Sequence, residues 1–281
     1  MAKNERENRS VSKGRVIVKD GTIIQKQRIP SPHADIDLFI VTYRSDGLQV
    51  KGYLVEPQTN EVLPGLLYLR GGIKRVGMVR KARMIQYASL GFIVFAPFYR
   101  GNLGGEGQED FAGYDRNDAI NGGHLLLEHE RTNGLHIIGF SRGGVMALFT
   151  AMALRDTVSV VCWNGVTDMR LTYEERVDLR KMMKRVIGTP TKYPERYDWR
   201  TPLLTIEKIK APVCIIHGVL DEHVSVEHAY RLEQALTEKR KQVETWYFPL
   251  FTHYFPEPDN RKLIRDIGSW MKQQPTIERR H

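Results

Sequence analysis

Short, uninterrupted apolar runs alternate along most of this chain with stretches in which apolar residues recur at helical spacing. Gly65–Leu69, Phe92–Pro97, Leu135–Phe140, Val158–Trp163, Val213–Gly218 and Glu244–Phe248 are runs of strand length. Between and after them, Met78–Ser89, Arg116–Glu130, Val145–Leu154, Val226–Glu238 and Arg261–Lys272 carry the helical period. Gly91 is a C-terminal cap for the first of these, and Gly122-Gly123 weakens the second. Strands that are apolar on both faces, separated by helices, predict a mostly parallel sheet covered on each side. The chain is therefore expected to be an α/β protein.

The pattern differs at the start. Asp37–Arg44 and Leu48–Glu56 flank Ser45-Asp46-Gly47, which predicts an antiparallel hairpin. A shorter hairpin turning at Asp20-Gly21 is expected between Gly14 and Ile29, and residues 1–12 read as frayed. Residues 1–36 are thus expected to be an N-terminal extension and 37–281 the α/β domain.

The strand–helix rhythm breaks once more, between Gly165 and Lys210. This stretch is rich first in charge and then in proline and aromatics, and it follows a strand. A connection of that length is commonly functional, which predicts a small cap insertion over 165–210. A surface excursion of two helices is the alternative. Leu171, Val177, Leu179, Met182, Met183 and Val186 would form the inward stripe of its first half.

Composition narrows the class without naming a chemistry. The 281 residues are 41% hydrophobic and 27% charged, which is ordinary globular usage. The formal net charge is +9, but the basic residues are scattered apart from two short clumps, so nucleic-acid binding is not expected. Cys162 and Cys214 each lie within an apolar run and read as small buried hydrophobes. The polar N-terminus has no secretory signal, and no 18 apolar residues run together, so a cytoplasmic protein without a membrane span is expected.

The chemistry gathers around Leu135–Gly144. There Ser141 follows Gly139 by two positions and precedes Gly143 by two, the G-x-S-x-G pattern of a nucleophile elbow between a strand and a helix. An ordinary strand–helix turn with packing glycines could carry the same letters. Two later residues supply what a serine needs in order to attack. Asp221 follows the strand ending at Gly218, and His253 follows the strand ending at Phe248, so both should stand on the sheet edge that carries Ser141. The order Ser, Asp, His is that of a hydrolase triad. Asp168 is the rival acid. His223 and His228 are five apart, a poor spacing for a shared metal, and no metal site is expected. The oxyanion donors should be the N–H of Arg142 and one from the glycines after the early strand, Gly72 first and Gly71 second. Arg70, Tyr197 and Trp199 are the candidate substrate-binding side chains.

These residues resemble the α/β-hydrolase superfamily, with the prolyl oligopeptidase (S9) catalytic domain and the dienelactone-hydrolase-like esterases as the nearest groups. Gly-Phe-Ser-Arg-Gly-Gly at Ser141, His-Gly-Val-Leu-Asp at Asp221 and Phe-Thr-His-Tyr-Phe at His253 carry the likeness. The stretch Phe98–Gly107 is similar to the Tyr-Arg-Gly-Ser-x-Gly-x-Gly segment of the S9 group. Arg70 stands where that group often has His or Tyr. The resemblance implies the fold, the triad roles and hydrolysis without a cofactor. Residues 1–36 are too few for the β-propeller that precedes many S9 peptidases. The expected activity is therefore that of a carboxylesterase-like serine hydrolase acting on a carboxylic ester or small amide. An S9-type peptidase acting on short peptides is the first alternative, and a hydrolase fold that binds ligands without turnover is the second. Self-association into a homo-oligomer is left open.

Overall fold

The computed structural model describes residues 18–275. Its nine strands form one sheet: β1 (Ile23–Ile29), β2 (Ile36–Ser45), β3 (Leu48–Pro57), β4 (Leu63–Leu69), β5 (Ile93–Pro97), β6 (Thr132–Phe140), β7 (Thr157–Trp163), β8 (Val213–Gly218) and β9 (Val243–Phe248). The spatial order is β1-β2-β3-β5-β4-β6-β7-β8-β9. β1 through β3 are antiparallel neighbours, β3 pairs antiparallel with β5, and every later pair is parallel. This is the expected α/β architecture.

Helices α1 (Lys81–Ala88), α2 (Arg116–Leu127), α3 (Gly143–Ala153), α4 (Met169–Glu175), α5 (Arg180–Val186), α6 (Pro194–Asp198), α7 (Glu227–Glu238) and α8 (Asp259–Gln273) cover the sheet and build the excursion. The central strands divide their side chains by alternation. Leu67, Ile137, Val160 and Ile215 enter the core shared with α2, α3 and α7. Their neighbours Leu66, Ile138, Val161 and Ile216 enter the core shared with α1 and α8. A strand buried on both faces must be apolar at every position, and this explains the uninterrupted runs.

Two expectations change. The extension does not stand apart, because β1 is hydrogen-bonded to β2 as the edge strand of the same sheet. Its charged Lys26 and Arg28 suit a strand with one open edge. Of the early hairpin, Val16 and Ile17 lie outside the described residues, and among the described residues β1 pairs with β2 alone. The helical stripe expected over Leu171–Val186, in the first half of the 165–210 excursion, is also not carried by one helix. A 3-10 turn at Val177–Leu179 separates α4 from α5, and Val177 is exposed while Met183 is buried. Arg176 at the break donates to the carbonyl of His223, which pins the excursion to the loop after β8. Among the described residues no helix is long and apolar enough to cross a membrane.

Candidate active site

Ser141 sits between the end of β6 and the start of α3 with φ of 57°. A non-glycine residue held in the left-handed region costs roughly 1–3 kcal/mol and persists only where its surroundings force it. Here they do. The Ser141 N–H donates to Trp163 O at 3.1 Å, and its carbonyl accepts from Gly144 and Val166, each at 2.9 Å. The flanking glycines are steric requirements. A Cβ on Gly139 would stand 2.1 Å from Gly143 O, and one on Gly143 would stand 2.0 Å from Leu69 O.

His253 lies in the loop after β9, and its Nδ1–H donates to Asp221 Oδ2 at 2.7 Å. The other carboxylate oxygen, Asp221 Oδ1, accepts from the N–H groups of His223 (2.8 Å) and Val224 (3.0 Å). Burial would raise the Asp221 pKa, but the bond from His253 and these backbone donors hold it below the ordinary carboxylate value. The rival acid is occupied elsewhere. Asp168 caps α4 by accepting from Arg170 N and Leu171 N, and it pairs with Arg231 at 2.9 Å. His217, four residues before Asp221, donates from Nε2 to Val224 O at 2.9 Å. Burial depresses its pKa.

Asn164, which follows β7, belongs to no sequence motif. Its buried Nδ2 donates to His253 O at 2.9 Å, and its Oδ1 accepts from Gly218 N at 2.9 Å. One amide thus ties the loop carrying the acid to the loop carrying the histidine. An asparagine directly after a buried strand is the only sequence signal of this.

Gly71 packs directly on the serine, since a Cβ there would lie 2.6 Å from Ser141 Cβ. Gly72 has φ of +64°, and a side chain on it would meet Val76 O at 2.2 Å. Among the described residues, the N–H groups of Gly71, Gly72 and Arg142 donate to no backbone carbonyl. These donors belong to residues bordering one cavity of about 490 Å³, which Ser141 and His253 also line.

The side chains behind this cavity form a buried charge network. Glu109 Oε1 accepts from Arg70 Nη2 at 2.9 Å and from Arg142 Nη2 at 2.6 Å. Arg142 Nη1 donates to Asp115 at 2.9 Å. The Tyr99 ring packs on both guanidiniums, each 5.0 Å from its centroid. Burial pushes the Asp115 carboxyl up to about 7, with Arg142 pulling the other way. Arg100, in the same glycine-rich stretch, binds Asp118 through its side chain and its N–H. Neither Glu109 nor Asp115 carries a sequence signal of burial.

Of the three side chains expected to bind substrate, one borders the cavity and two do not. Arg70 lines the cavity, but its guanidinium is committed to Glu109, Phe98 O and Gly71 O. Tyr197 is fully buried, donates to Gly188 O and packs edge-on against Tyr173, away from the cavity. Trp199 is partly exposed and stacks on Arg116, with the guanidinium 4.0 Å from a ring centroid. The excursion does reach the cavity, through Val166, Thr172, Arg176 and Leu179. Among the described residues no three His, Cys, Asp or Glu side chains converge to hold a metal ion.

Residues 79–276 match the prolyl oligopeptidase family. A protein of Bacillus subtilis (strain 168) named uncharacterized peptidase YtmA is 55% identical over 256 residues, spanning 90% of this chain and 100% of that one. Among solved structures, the orthorhombic form of Pyrococcus horikoshii acylaminoacyl peptidase superposes with a TM-score of 0.75 at 20% identity. It matches 88% of this chain, which spans only 43% of that one. An acetyl xylan esterase from Paenibacillus sp. R4 superposes with a TM-score of 0.71 at 16% identity, over 89% of this chain and 88% of the esterase. Both structural likenesses are of fold, shared by a peptidase and an esterase. On the family match and the YtmA relative, this chain is a hydrolase that belongs to the prolyl oligopeptidase (S9 peptidase) family and carries the α/β-hydrolase fold.

Proposed function

We propose that the protein hydrolyses short carboxylic esters or small amides through an acyl-enzyme on Ser141. In this reading His253 takes the serine proton and later gives it to the leaving group, while Asp221 fixes the imidazole tautomer and stabilises its charged form. The N–H groups of Arg142 and of Gly72 or Gly71 receive the oxyanion, each donor contributing roughly 3–4 kcal/mol. Water then releases the acyl group. The observation that carries the reading is the 2.7 Å bond from His253 Nδ1 to Asp221, made beside a serine held in the left-handed region and facing the same cavity. Thr172, Leu179 and Val166 of the cap supply the acyl pocket.

Cleavage of short peptides is the second reading. The YtmA relative, which is named a peptidase, favours it, and a cavity of about 490 Å³ suits a small substrate of either kind. Labelling with a fluorophosphonate, followed by kinetics on p-nitrophenyl esters and aminoacyl amides, tests both. Labelling of the parent that is lost in Ser141→Ala is the expected result. An unlabelled parent that turns over no ester or amide would instead favour a binding role without catalysis.

A further inference from the structure

Five arginines line the cavity: Arg70, Arg80, Arg83, Arg142 and Arg176. Three are neutralised by protein carboxylates. Arg70 and Arg142 meet Glu109, and Arg176 pairs with Asp178 at 2.6 Å. Arg80 and Arg83, at the start of α1, meet no carboxylate among the described residues. The acid on the cavity wall, Glu257, is shared between Arg261 at 3.3 Å and the Asn260 amide at 2.9 Å. Arg83 Nη2 reaches only the neutral oxygen of Asn260, at 3.0 Å. Its Nη1 is buried without an acceptor, as is Trp163 Nε1, and the guanidinium lies 5.3 Å from the Trp163 ring. Buried donors of this kind are costly to leave unpaired. Burial raises the pKa of the nearby Tyr68 phenol, and the charges of Arg83 and Arg80 pull it down.

The position of this wall relative to the reaction follows from its neighbours. Trp163 packs edge-on against Phe140 at 5.5 Å, and Phe140 lies 4.8 Å from the His253 ring. The histidine delivers its proton to the departing group, and this wall adjoins the histidine. We propose that Arg83, with Arg80 beside it, binds a carboxylate carried by the leaving group. The preferred substrates are then short esters or amides that release an acid, either a hydroxy acid or a C-terminal amino acid. The carboxylate is a handle and is not consumed: the acyl–oxygen or acyl–nitrogen bond breaks, water supplies the new acyl–oxygen bond, and the leaving group takes the proton.

This proposal rests on the Ser141–His253 reading, and the experiment separates the two. The parent protein is given 4-acetoxybenzoate against 4-acetoxybenzamide, and acetyl-Ala-Ala against its C-terminal amide. The ester pair reports a hydroxy-acid handle and the peptide pair an amino-acid handle. A charge-assisted contact should favour the carboxylate by about tenfold to a hundredfold in kcat/KM in at least one pair. In Arg83→Gln that ratio should fall below about threefold, while Arg83→Lys should keep most of it. A parent ratio near one in both pairs, or a ratio unchanged in Arg83→Gln, overturns the proposal. If Arg83→Gln fails to fold, product inhibition of the parent decides. The acid released in whichever pair discriminates, 4-hydroxybenzoate or alanine, must inhibit where its amide does not, and equal inhibition overturns the pocket. Calorimetry of that same acid with Ser141→Ala reads the pocket without turnover. An inert Ser141→Ala that does not bind it defeats the carboxylate site alone, whereas a Ser141→Ala that still hydrolyses 4-acetoxybenzamide defeats the nucleophile.

Discussion

The guanidiniums of Arg70 and Arg142 converge on a single oxygen of Glu109, at 2.9 and 2.6 Å, although one follows β4 and the other follows β6. Each arginine borders one side of the proposed oxyanion hole, so one carboxylate sets the spacing between the two halves. Glu109→Gln removes the charge and keeps the shape. It leaves two buried cations facing each other, and breaking a buried ion pair this way costs about 3–5 kcal/mol. The expected result is a clear fall in melting temperature, with kcat lowered more than KM is raised. Unchanged stability and kcat would show that the two backbones are held apart without it.

Ser141→Ala and His253→Ala should each lower kcat by roughly 10⁴-fold or more, and the double variant should be little worse than either, because triad members act as a unit. Steady-state kinetics on one ester checks this. Residual activity within about tenfold of the parent in Ser141→Ala would remove the nucleophile from the reading.

The 165–210 excursion makes a prediction by contrast between two of its residues. Leu179 lines the cavity, whereas Trp199 stacks on Arg116 outside it. Leu179→Ala should shift the preferred acyl length in an ester series. Trp199→Ala should leave that preference alone and cost stability of about 0.5–2 kcal/mol from the lost stacking. The opposite pairing of effects would relocate the acyl pocket.

Buried histidines give the pH response a sign. Burial depresses the His228 pKa to about 3, and its Nδ1 accepts from Thr167 N at 3.2 Å. Below the unfolded value of about 6.5 the unfolded chain takes up a proton that the native state refuses. The His228 contribution is therefore complete above pH about 6.5 and is lost as pH falls toward about 3. Urea unfolding at pH 7, 6 and 5 should show the parent losing up to about 1.4 kcal/mol per pH unit relative to His228→Gln. Parallel curves for the two proteins would exclude this linkage.

The parts of the site that were legible in the sequence are those with local causes. The glycines around Ser141 answer to backbone collisions within a few residues, and the strand-end positions of Asp221 and His253 follow from the apolar runs before them. Glu109 and Asn164 act across long sequence separations, and nothing near them in the chain announces a buried partner. Tyr197 and Trp199 show a different limit. Aromatic residues can line a cleft or fasten a loop, and only the direction of the side chain, set here by Gly188 and Arg116, decides between these roles. The edge strand β1 stands apart from the domain in the sequence because its polar residues lack the apolar run of a central strand.

The collisions around Ser141 also bear on which lesions a second mutation can repair. A methyl group on Gly139 or Gly143 would strike main-chain oxygens, which every amino acid has. A methyl on Gly123, in α2, would strike the Leu154 side chain at 2.3 Å instead. Selection for revertants should therefore recover Gly123→Ala through a smaller residue at 154. For Gly143→Ala it should return only glycine itself, since no neighbouring substitution can shorten a carbonyl. The elbow is closed to compensatory evolution in a way that the packed helices are not.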